Sequence, residues 1–281
     1  MTDPRIGQLL DRLDSLLDRA EQLLPRQPET DWNAIAWRWR PQGYLQAIRH
    51  VDDIQPEDLL HIDTQKQALR DNTAKFLAAQ PANHALLWGS RGTGKSSLIK
   101  ALLQAFAQDG LRLIEVDKRE LDRLPDIIEP LYDRPERFIL FCDDLSFADD
   151  EPGYKSLKAA LDGSVEQPPP NVRIYATSNR RHLLPEKRQD NLDTRMVDGE
   201  LHHSDAVEEK ISLSERFGLW LSFRPFTQEQ YLEVARYWMN RLGVDFRNDE
   251  AWRQEALRFA LYRGSRSGRV ARQFVNHWAS A

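Results

Sequence analysis

This 281-residue sequence is short of cysteine and of long apolar runs. Its single cysteine, Cys142, excludes an intramolecular disulfide framework and fits a reducing compartment. No stretch approaches the roughly 20 apolar residues that a transmembrane helix needs. The first residues also lack the basic and apolar regions of a secretory signal. We therefore expect a cytoplasmic protein that does not enter a membrane.

The sequence also lacks an excess of positive charge. Its formal net charge is −5, so the molecule as a whole is not a polycation for nucleic acid. The net charge does not exclude a basic patch on part of the surface. Charged residues make up 30% and hydrophobic residues 41%, a balance typical of globular chains. The length allows one large domain or two modest domains with a real core.

One glycine-rich stretch carries the most specific pattern in the chain. Residues 86–103 read LLWGSRGTGKSSLIKALL, an apolar run, a turn and then apolar residues at helical spacing. Within it, residues 89–96 match G-x-x-x-x-G-K-[ST], the phosphate-binding loop, in its required place between a strand and a helix. Glycine permits the positive φ angles and the close approach that wrapping a phosphate needs. The pattern therefore predicts a nucleotide phosphate site.

Each position of this loop has an expected task. Backbone N–H groups of residues 92–95 can point into one concavity, to which the following helix adds its N-terminal dipole. Lys95 is expected to reach the β- and γ-phosphates, and the Ser96 hydroxyl to ligate Mg²⁺. Ser97 fits better as a helix residue than as a ligand. The candidate nucleotide-binding residues are Gly89, Gly92, Thr93, Gly94, Lys95, Ser96 and Ser97.

The middle of the chain alternates apolar runs with helical patterns. Strands are expected at residues 112–117, 137–142 and 172–179, each apolar on both faces. This order predicts an α/β fold with a parallel sheet covered by helices on both sides. Such sheets bind ligands at the carboxyl ends of their strands.

Both ends of the chain are predicted to be mainly helical. Residues 6–24 place leucines at helical spacing, as in an amphipathic helix that packs on its own domain or binds a partner. The tryptophans of residues 26–55 are expected to pack on the core, although alternating Trp and Arg can also stack on bases. From Ser214 onwards the pattern again predicts helices, including one capped at Thr227. We predict a helical extension (1–56), an α/β core (57–222) and a helical lid (223–281).

Polar residues follow two of the predicted strands. Asp143 and Asp144 come after FILFC, and Asn179 ends IYATSN. Asp143 is placed to hold Mg²⁺, directly or through water. Asp144 would then orient an attacking water, or else cap a helix. The Asn179 amide could hydrogen-bond both the γ-phosphate and that water without adding charge, or act as an ordinary cap.

Arginines in the last third of the chain are further candidates. Arg216, in LSERFG, could reach a neighbouring subunit's nucleotide, or could pair with Glu215 or Glu209 within its own chain. The pattern YRGSRSGRVARQF repeats arginine every three residues, as in a basic stripe for DNA. Because Ser267 and Gly268 are typical of a helix start, we favour one arginine aimed at a phosphate. These four arginines are Arg263, Arg266, Arg269 and Arg272.

The order of these segments resembles that of the AAA+ ATPases. GSRGTGKSS looks like Walker A, FILFCDD like Walker B, IYATSN like sensor 1, LSERFG like the arginine-finger segment and SGRVARQF like sensor 2. The resemblance runs from about residue 57 to the C-terminus. More closely, ANHALLWGSRGTGKSSL, DDLSF, YKSLKAALDG and RSGRVARQF are similar to the bacterial domain-of-unknown-function 815 family of predicted AAA+ ATPases.

The resemblance implies an ATP hydrolase with ATP and Mg²⁺ as its ligands. It assigns phosphate and metal to Lys95 and Ser96, support of Mg²⁺ to Asp143, and the catalytic-acid position to Asp144. It further makes Asn179 sensor 1, Arg216 a finger acting in trans, and Arg269 sensor 2, ahead of Arg272. It also implies a homo-oligomer, as a ring or open ring, that remodels an unidentified protein or nucleic-acid partner.

Two features depart from the superfamily's pattern. Asp144 stands where many members have glutamate, and the shorter side chain is expected to slow hydrolysis. The sequence after residues 112–117 lacks the aromatic-apolar-glycine pore loop of protein unfoldases, so threading of polypeptide is not expected. The alternatives are a nucleic-acid remodelling factor of the helicase-loader type, a P-loop small-molecule kinase, and a nucleotide switch that scarcely turns over.

Overall fold

The computed structural model describes residues 28–147, 152–162, 169–181, 183, 195–197, 200–202, 213–244 and 249–279. The predicted helix over residues 6–24 and most of the predicted loop over residues 180–213 lie outside this part of the chain. Within it, every helix is too short or too polar to cross a bilayer. The strands are β1 (Ala36–Arg40), β2 (Tyr44–Ala47), β3 (Ala85–Gly89), β4 (Leu111–Glu115), β5 (Arg137–Cys142), β6 (Val172–Ser178), β7 (Arg195–Val197), β8 (Glu200–His202) and β9 (Leu219–Phe223). The α-helices are α1 (Asp63–Leu77), α2 (Lys95–Phe106), α3 (Leu124–Ile128), α4 (Pro152–Asp162), α5 (Gln228–Leu242), α6 (Asp249–Arg263) and α7 (Gly268–Trp278), with short 3₁₀ turns around α3.

Seven strands form one sheet in the order β2-β1-β4-β5-β6-β3-β9. Only the β1–β2 pair is antiparallel, and the other pairs run parallel. Alternate side chains of β5 enter two separate apolar clusters on opposite faces, Phe138 and Leu140 in one, Ile139 and Phe141 in the other. Burial on both faces explains why this strand is apolar throughout. The predicted α/β fold is confirmed.

The strand order brings distant parts of the chain to one edge. β6 lies between β5 and β3, so the carboxyl ends of all three strands are neighbours. The loop before α2 follows β3, the acidic pair follows β5, and Asn179 follows β6. All three segments therefore meet beyond the same edge of the sheet, where ligands of such sheets bind.

The prediction that residues 1–56 are helical is wrong for residues 36–47. These residues form the hairpin β1–β2, and β1 pairs in parallel with β4 of the core sheet. The sequence AWRWR has the two-residue period of a strand. Trp37 and Trp39 are 1% and 6% exposed in the core, while Arg38 on the other face pairs with Glu115. The expected burial of these two tryptophans is confirmed.

The prediction of helices from Ser214 onwards is wrong for residues 219–223. These residues are strand β9, which pairs in parallel with β3 at the edge of the sheet. A five-residue apolar run such as LWLSF cannot be told from a buried helical segment by its periodicity alone. Gly218 and Pro225 on either side were the available signal for a strand.

Three helices at the C-terminal end pack around a separate apolar cluster. α5, α6 and α7 contribute Tyr231, Trp252 and Phe274 to it. The predicted cap of α5 is confirmed, because the Thr227 hydroxyl accepts from the Gln230 backbone N–H at 3.2 Å and the Gln230 side chain accepts in return at 3.0 Å. The division of the chain into domains at residues 56 and 222 stays a prediction.

Candidate functional site

A cavity of about 410 Å³ lies at the carboxyl ends of β3, β5 and β6, against α5 and α7. Its volume is within the range of small-molecule sites. The structure brings most of the predicted site residues to it, although Gly89 and Arg216 do not line it. The predicted residues that line it are Gly92, Thr93, Gly94, Lys95, Ser96, Ser97, Asp143, Asp144, Asn179, Arg269 and the less favoured Arg272.

Gly89 serves the packing of the sheet. Its φ is +128°, and a Cβ there would lie 2.0 Å from the Phe223 carbonyl oxygen. The Ser90 N–H donates to that same oxygen at 3.1 Å. Only glycine permits this approach of the loop to β9. Gly89 therefore sets where the loop leaves the sheet.

Lys95 is buried at the start of α2, with 7% of its surface exposed. Its Nζ donates to the carbonyl oxygens of Gly89 at 2.7 Å and Ser90 at 2.8 Å, and to Asn179 Oδ1 at 3.3 Å. Burial lowers the pKa of Lys95, while the nearby carboxylates of Asp143 and Asp144 raise it. The ammonium group is thus fixed at the cavity wall, where an anion would give it a charged partner.

The acidic pair is held by hydroxyl and amide groups. Asp143 Oδ1 accepts from Ser96 Oγ at 2.6 Å and also from the Thr177 hydroxyl. Asp144 Oδ1 accepts from the Asn179 side-chain amide. The Ser96 hydroxyl and the Asp143 carboxylate are hard oxygen donors, which Mg²⁺ prefers.

This donor set fits Mg²⁺ bound together with phosphates. Within the described ranges, no group of three or more His, Cys, Asp or Glu side chains could form a metal cage. Mg²⁺ does not require one, because it keeps several waters and uses one or two carboxylates plus substrate phosphates. Ser96 and Asp143 can supply the protein's share of such a site.

Two polar residues near these acids were missed from the sequence. Thr177 bonds to Asp143, and the Arg91 guanidinium lies 4.0 Å from Asp144 Oδ2. On the predicted strand 172–179 Thr177 precedes Asn179 by two residues, so the two are expected to share a face, although β6 itself ends at Ser178. That alternation was the available signal for Thr177, whereas Arg91 occupies an unrestricted position of the phosphate-loop pattern.

Arg216 lies outside this cavity. Its Nε donates to Asp162 Oδ2 at the end of α4 in the same chain. The expected alternative was a salt bridge to Glu215 or Glu209; the described residues show an ion pair with Asp162, and Glu209 lies outside them. The Arg216 side chain is 22% exposed. It therefore does not contact the phosphate loop of its own chain.

The N-terminus of α7 rests on the phosphate loop. Ser267 caps α7 by accepting from the Val270 N–H at 3.3 Å, and the Arg269 N–H donates to the Gly92 carbonyl at 3.3 Å. Arg272, one turn on, stacks its guanidinium 4.6 Å from the centre of the Trp238 ring. This packing separates the two arginines. Arg269 touches the loop, while Arg272 is held by an aromatic side chain.

A second set of polar contacts joins α5 to the segment before α1. Asp58 is buried, and it accepts from the Tyr237 hydroxyl and pairs with Arg241 Nη1 at 2.8 Å. His61 Nε2 lies 2.9 Å from Glu233 Oε2. Nothing in the local sequence indicates these pairs. They fix the C-terminal helices over the cavity.

Comparisons with known proteins agree with this architecture. Residues 30–281 match the family described as "Protein of unknown function (DUF815)". No curated protein matches the chain. The ORC1 protein of Aeropyrum pernix, solved in complex with DNA, is 16% identical, with 79% of this chain and 59% of that chain covered and a TM-score of 0.53.

Two further solved structures are similar. The FIGL-1 AAA domain, solved with ADP, is 18% identical, with 82% of this chain and 74% of that chain covered and a TM-score of 0.51. RuvB of Thermotoga maritima, a Holliday junction branch migration motor, is 13% identical, with 82% and 72% covered and a TM-score of 0.45. The ORC1 and FIGL-1 likenesses show the fold. Because the family model matches residues 30–281, most of the chain, this chain belongs to the DUF815 family.

Proposed function

We propose that this protein binds ATP with Mg²⁺ in the cavity and hydrolyses it slowly, as an assembly of several copies. One observation carries the proposal. Lys95, Asp143 and Asn179 follow three different strands, yet they line one cavity together with Arg269 of α7. A cation, carboxylates, a neutral amide and a lid arginine are the groups that phosphoryl transfer to water requires.

The position of each residue indicates its role in ATP binding and hydrolysis. Lys95 contacts the β- and γ-phosphates, and backbone N–H groups of the loop hold the phosphate oxygens. Ser96 and Asp143 hold Mg²⁺, which neutralises charge that develops on the phosphates. Asp144 orients the attacking water, with Asn179 beside it. Arg269 contacts the γ-phosphate from the lid side.

Slow turnover is part of the proposal. The Asp144 carboxylate is one methylene shorter than that of glutamate, so it reaches less far toward a water at the γ-phosphate. Its Oδ1 also accepts from Asn179, and its Oδ2 lies 4.0 Å from Arg91. These contacts compete with the attacking water for the Asp144 carboxylate. Both features favour a regulated enzyme over a fast one.

The position of Arg216 supports the proposed assembly. It pairs with Asp162 and does not line the cavity of its own chain. In an assembly of the AAA+ type, Arg216 acts on the nucleotide bound by a neighbouring copy, in a ring or open ring. The work done with ATP is the remodelling of a protein or nucleic-acid partner, in the cytoplasm. The single cysteine supports this location.

Hydrolysis should depend on assembly, so the first test is the rate of ATP hydrolysis against protein concentration. We expect the rate per molecule to rise with concentration, in parallel with the oligomer measured by light scattering. Equal specific activity at every concentration, from a demonstrated monomer, would contradict the proposal. Transfer of phosphate to an acceptor would favour the kinase alternative. Salt-dependent DNA binding would favour a remodelling factor of the helicase-loader type.

A substitution at Gly92 tests the contact between loop and lid. Its φ is +74°, and a Cβ there would lie 2.7 Å from Ser267 Oγ and 3.1 Å from Arg269 Cβ. Gly92→Ala should therefore displace α7 from the loop and weaken ATP binding by about tenfold or more, equivalent to about 1.4 kcal/mol. The measurement is a titration with a fluorescent ATP analogue.

Gly110→Ala is the matched control for Gly92→Ala. Gly110 also has a positive φ of +92°, but a Cβ there would meet no atom within 4 Å. Both variants carry a backbone strain of roughly 1–2 kcal/mol, visible in thermal unfolding. Only Gly92→Ala should lose ATP affinity. Unchanged affinity in Gly92→Ala would show that this contact does not support binding.

A further inference from the structure

Thr177 is a buried hydroxyl between the two acids of the site. It lies at the end of β6 with 1% of its surface exposed. Asn179, two residues on, lies just past the end of β6 at the same edge of the sheet. The Ser178 hydroxyl belongs to the other side and donates to the Leu145 carbonyl at 2.8 Å. Two neighbouring hydroxyls of one strand thus have separate partners.

The direction of the hydrogen bonds at Thr177 is fixed by their partners. The Asp144 backbone N–H is a donor, so at 2.9 Å the Thr177 oxygen must accept from it. The Asp143 carboxylate is an acceptor, so the single Thr177 proton is donated to Asp143 Oδ1. Thr177 therefore joins the side chain of Asp143 to the main chain of Asp144.

These bonds hold Asp144 in an unusual conformation. Asp144 has a φ of +52°, in the left-handed region that residues other than glycine rarely adopt. The Thr177 side chain binds the N–H of Asp144, and the Thr177 carbonyl binds the N–H of Leu145 at 2.7 Å. In this conformation the Asp144 carboxylate meets the Asn179 amide.

The same hydroxyl also restricts Asp143. Oδ1 of Asp143 accepts from two hydroxyls, those of Thr177 and Ser96. The carboxylate is thereby held from both sides, by a group on β6 and by a group on α2. The other oxygen of this carboxylate, Asp143 Oδ2, can then bind a cation. Partners of this kind orient a metal-binding carboxylate without contacting the metal.

We propose that Thr177 is a positioning residue that sets the geometry of both acids for ATP hydrolysis. It fixes the Asp143 carboxylate toward Mg²⁺ and the Asp144 backbone toward the attacking water, and its hydroxyl, although at the cavity wall, is engaged by these two residues and not by the nucleotide. This inference rests on the proposed ATPase function. Its distinguishing consequence is a loss of turnover and of metal affinity without a loss of affinity for metal-free ATP.

The test compares four variants in the full-length protein. Thr177→Val removes the hydroxyl and keeps the branched shape, Thr177→Ala removes it in a smaller side chain, and Thr177→Ser keeps it. Ser178→Ala removes the neighbouring buried hydroxyl instead. For each we would measure kcat, KM for ATP and thermal unfolding. Mn²⁺ affinity in the presence of a non-hydrolysable ATP analogue, by electron paramagnetic resonance, gives a readout that does not need turnover.

For Thr177→Val we expect kcat and Mn²⁺ affinity to fall about 10- to 100-fold. Affinity for the ATP analogue in the absence of metal should stay within about threefold, because Lys95 and the loop remain intact, whereas KM for the metal–ATP complex should rise by the factor by which Mn²⁺ affinity falls. Thr177→Ser should restore both quantities, and Ser178→Ala should leave both near wild type. Thr177→Ala should show the same losses of kcat and Mn²⁺ affinity as Thr177→Val. It replaces Thr177→Val in the test if that variant does not fold.

Two results would overturn the proposal. One is wild-type kcat and Mn²⁺ affinity in both variants that lack the hydroxyl. The other is an equal loss in Ser178→Ala, which would mean that any buried hydroxyl of β6 matters for packing alone. If the wild-type protein does not hydrolyse ATP, the proposed function fails separately. Mn²⁺ affinity then still decides the role of Thr177.

Discussion

Lys95→Ala should abolish measurable ATP binding and lower kcat/KM at least about 10²- to 10³-fold, as expected for losing a charged donor to a transition state. The physical reason is the burial of the ammonium group. Its Nζ is held at the loop by the carbonyl oxygens of Gly89 and Ser90 and by Asn179 Oδ1, and one of these hydrogen bonds is exchanged for a stronger, charged one when the phosphates bind. The measurements are a fluorescent ATP titration and steady-state hydrolysis.

Lys100→Ala is the matched control for Lys95→Ala. Lys100 lies on the same helix α2, but its side chain is half exposed and pairs with Asp52 at 3.6 Å. Removing such a surface pair usually changes stability by less than about 1 kcal/mol. ATP binding and hydrolysis should stay at wild-type levels. Hydrolysis at the wild-type rate by Lys95→Ala would rule out the phosphate-loop assignment.

Arg216→Ala should slow ATP hydrolysis about 10³-fold or more, while ATP affinity stays near wild type. The two effects separate because Arg216 does not line the cavity of its own chain. An arginine that completes a neighbour's site contributes to the transition state in trans. Asp144→Asn should also be inactive, because it removes the group that orients the water.

An equal mixture of Arg216→Ala and Asp144→Asn should recover activity. A site with the intact Asp144 on one copy and the intact Arg216 on its neighbour forms at about one quarter of the interfaces in random head-to-tail mixing. Recovery of ATP hydrolysis toward one quarter of the wild-type rate would establish that Arg216 acts across subunits. An inactive mixture of two inactive variants would contradict it.

Asp162→Asn distinguishes a catalytic role of Arg216 from a structural one. Arg216 donates to Asp162 within the chain, so the pair could simply join α4 to the segment before β9. If so, Asp162→Asn should reduce hydrolysis as much as Arg216→Ala does. We expect Asp162→Asn to keep most of the activity, because the guanidinium is still present.

Part of this site follows from neighbouring residues in the chain. The phosphate loop is eight consecutive residues, so Gly92, Gly94, Lys95 and Ser96 can be placed at the cavity from the sequence alone, whereas Gly89 packs against β9 instead. Strand β5 could be placed with its correct bounds, since burial on both faces requires an unbroken apolar run. The acids Asp143 and Asp144 were then found because they come directly after that run.

Other parts required pairings between distant residues. Strand β1 takes its place beside β4, and β9 beside β3, through hydrogen bonds that no local pattern specifies. Short apolar runs fit a strand and a buried helical turn equally well, so the sheet itself decides between them. This is why residues 219–223 were predicted as part of a helical region, whereas for residues 36–40 the alternation of apolar and charged side chains was a strand signal that was missed.

The sequence by itself determined the fold class, the phosphate loop and the acids after β5, because each depends on residues that are adjacent or periodic. The tertiary structure alone decided that Arg216 pairs with Asp162 and that Asp58 joins the lid through Tyr237 and Arg241. It also decided that Thr177 holds both acids. Hydrogen bonds and ion pairs are directional and short-ranged, so they depend on which distant residues the folded backbone brings within about 3 Å of each other.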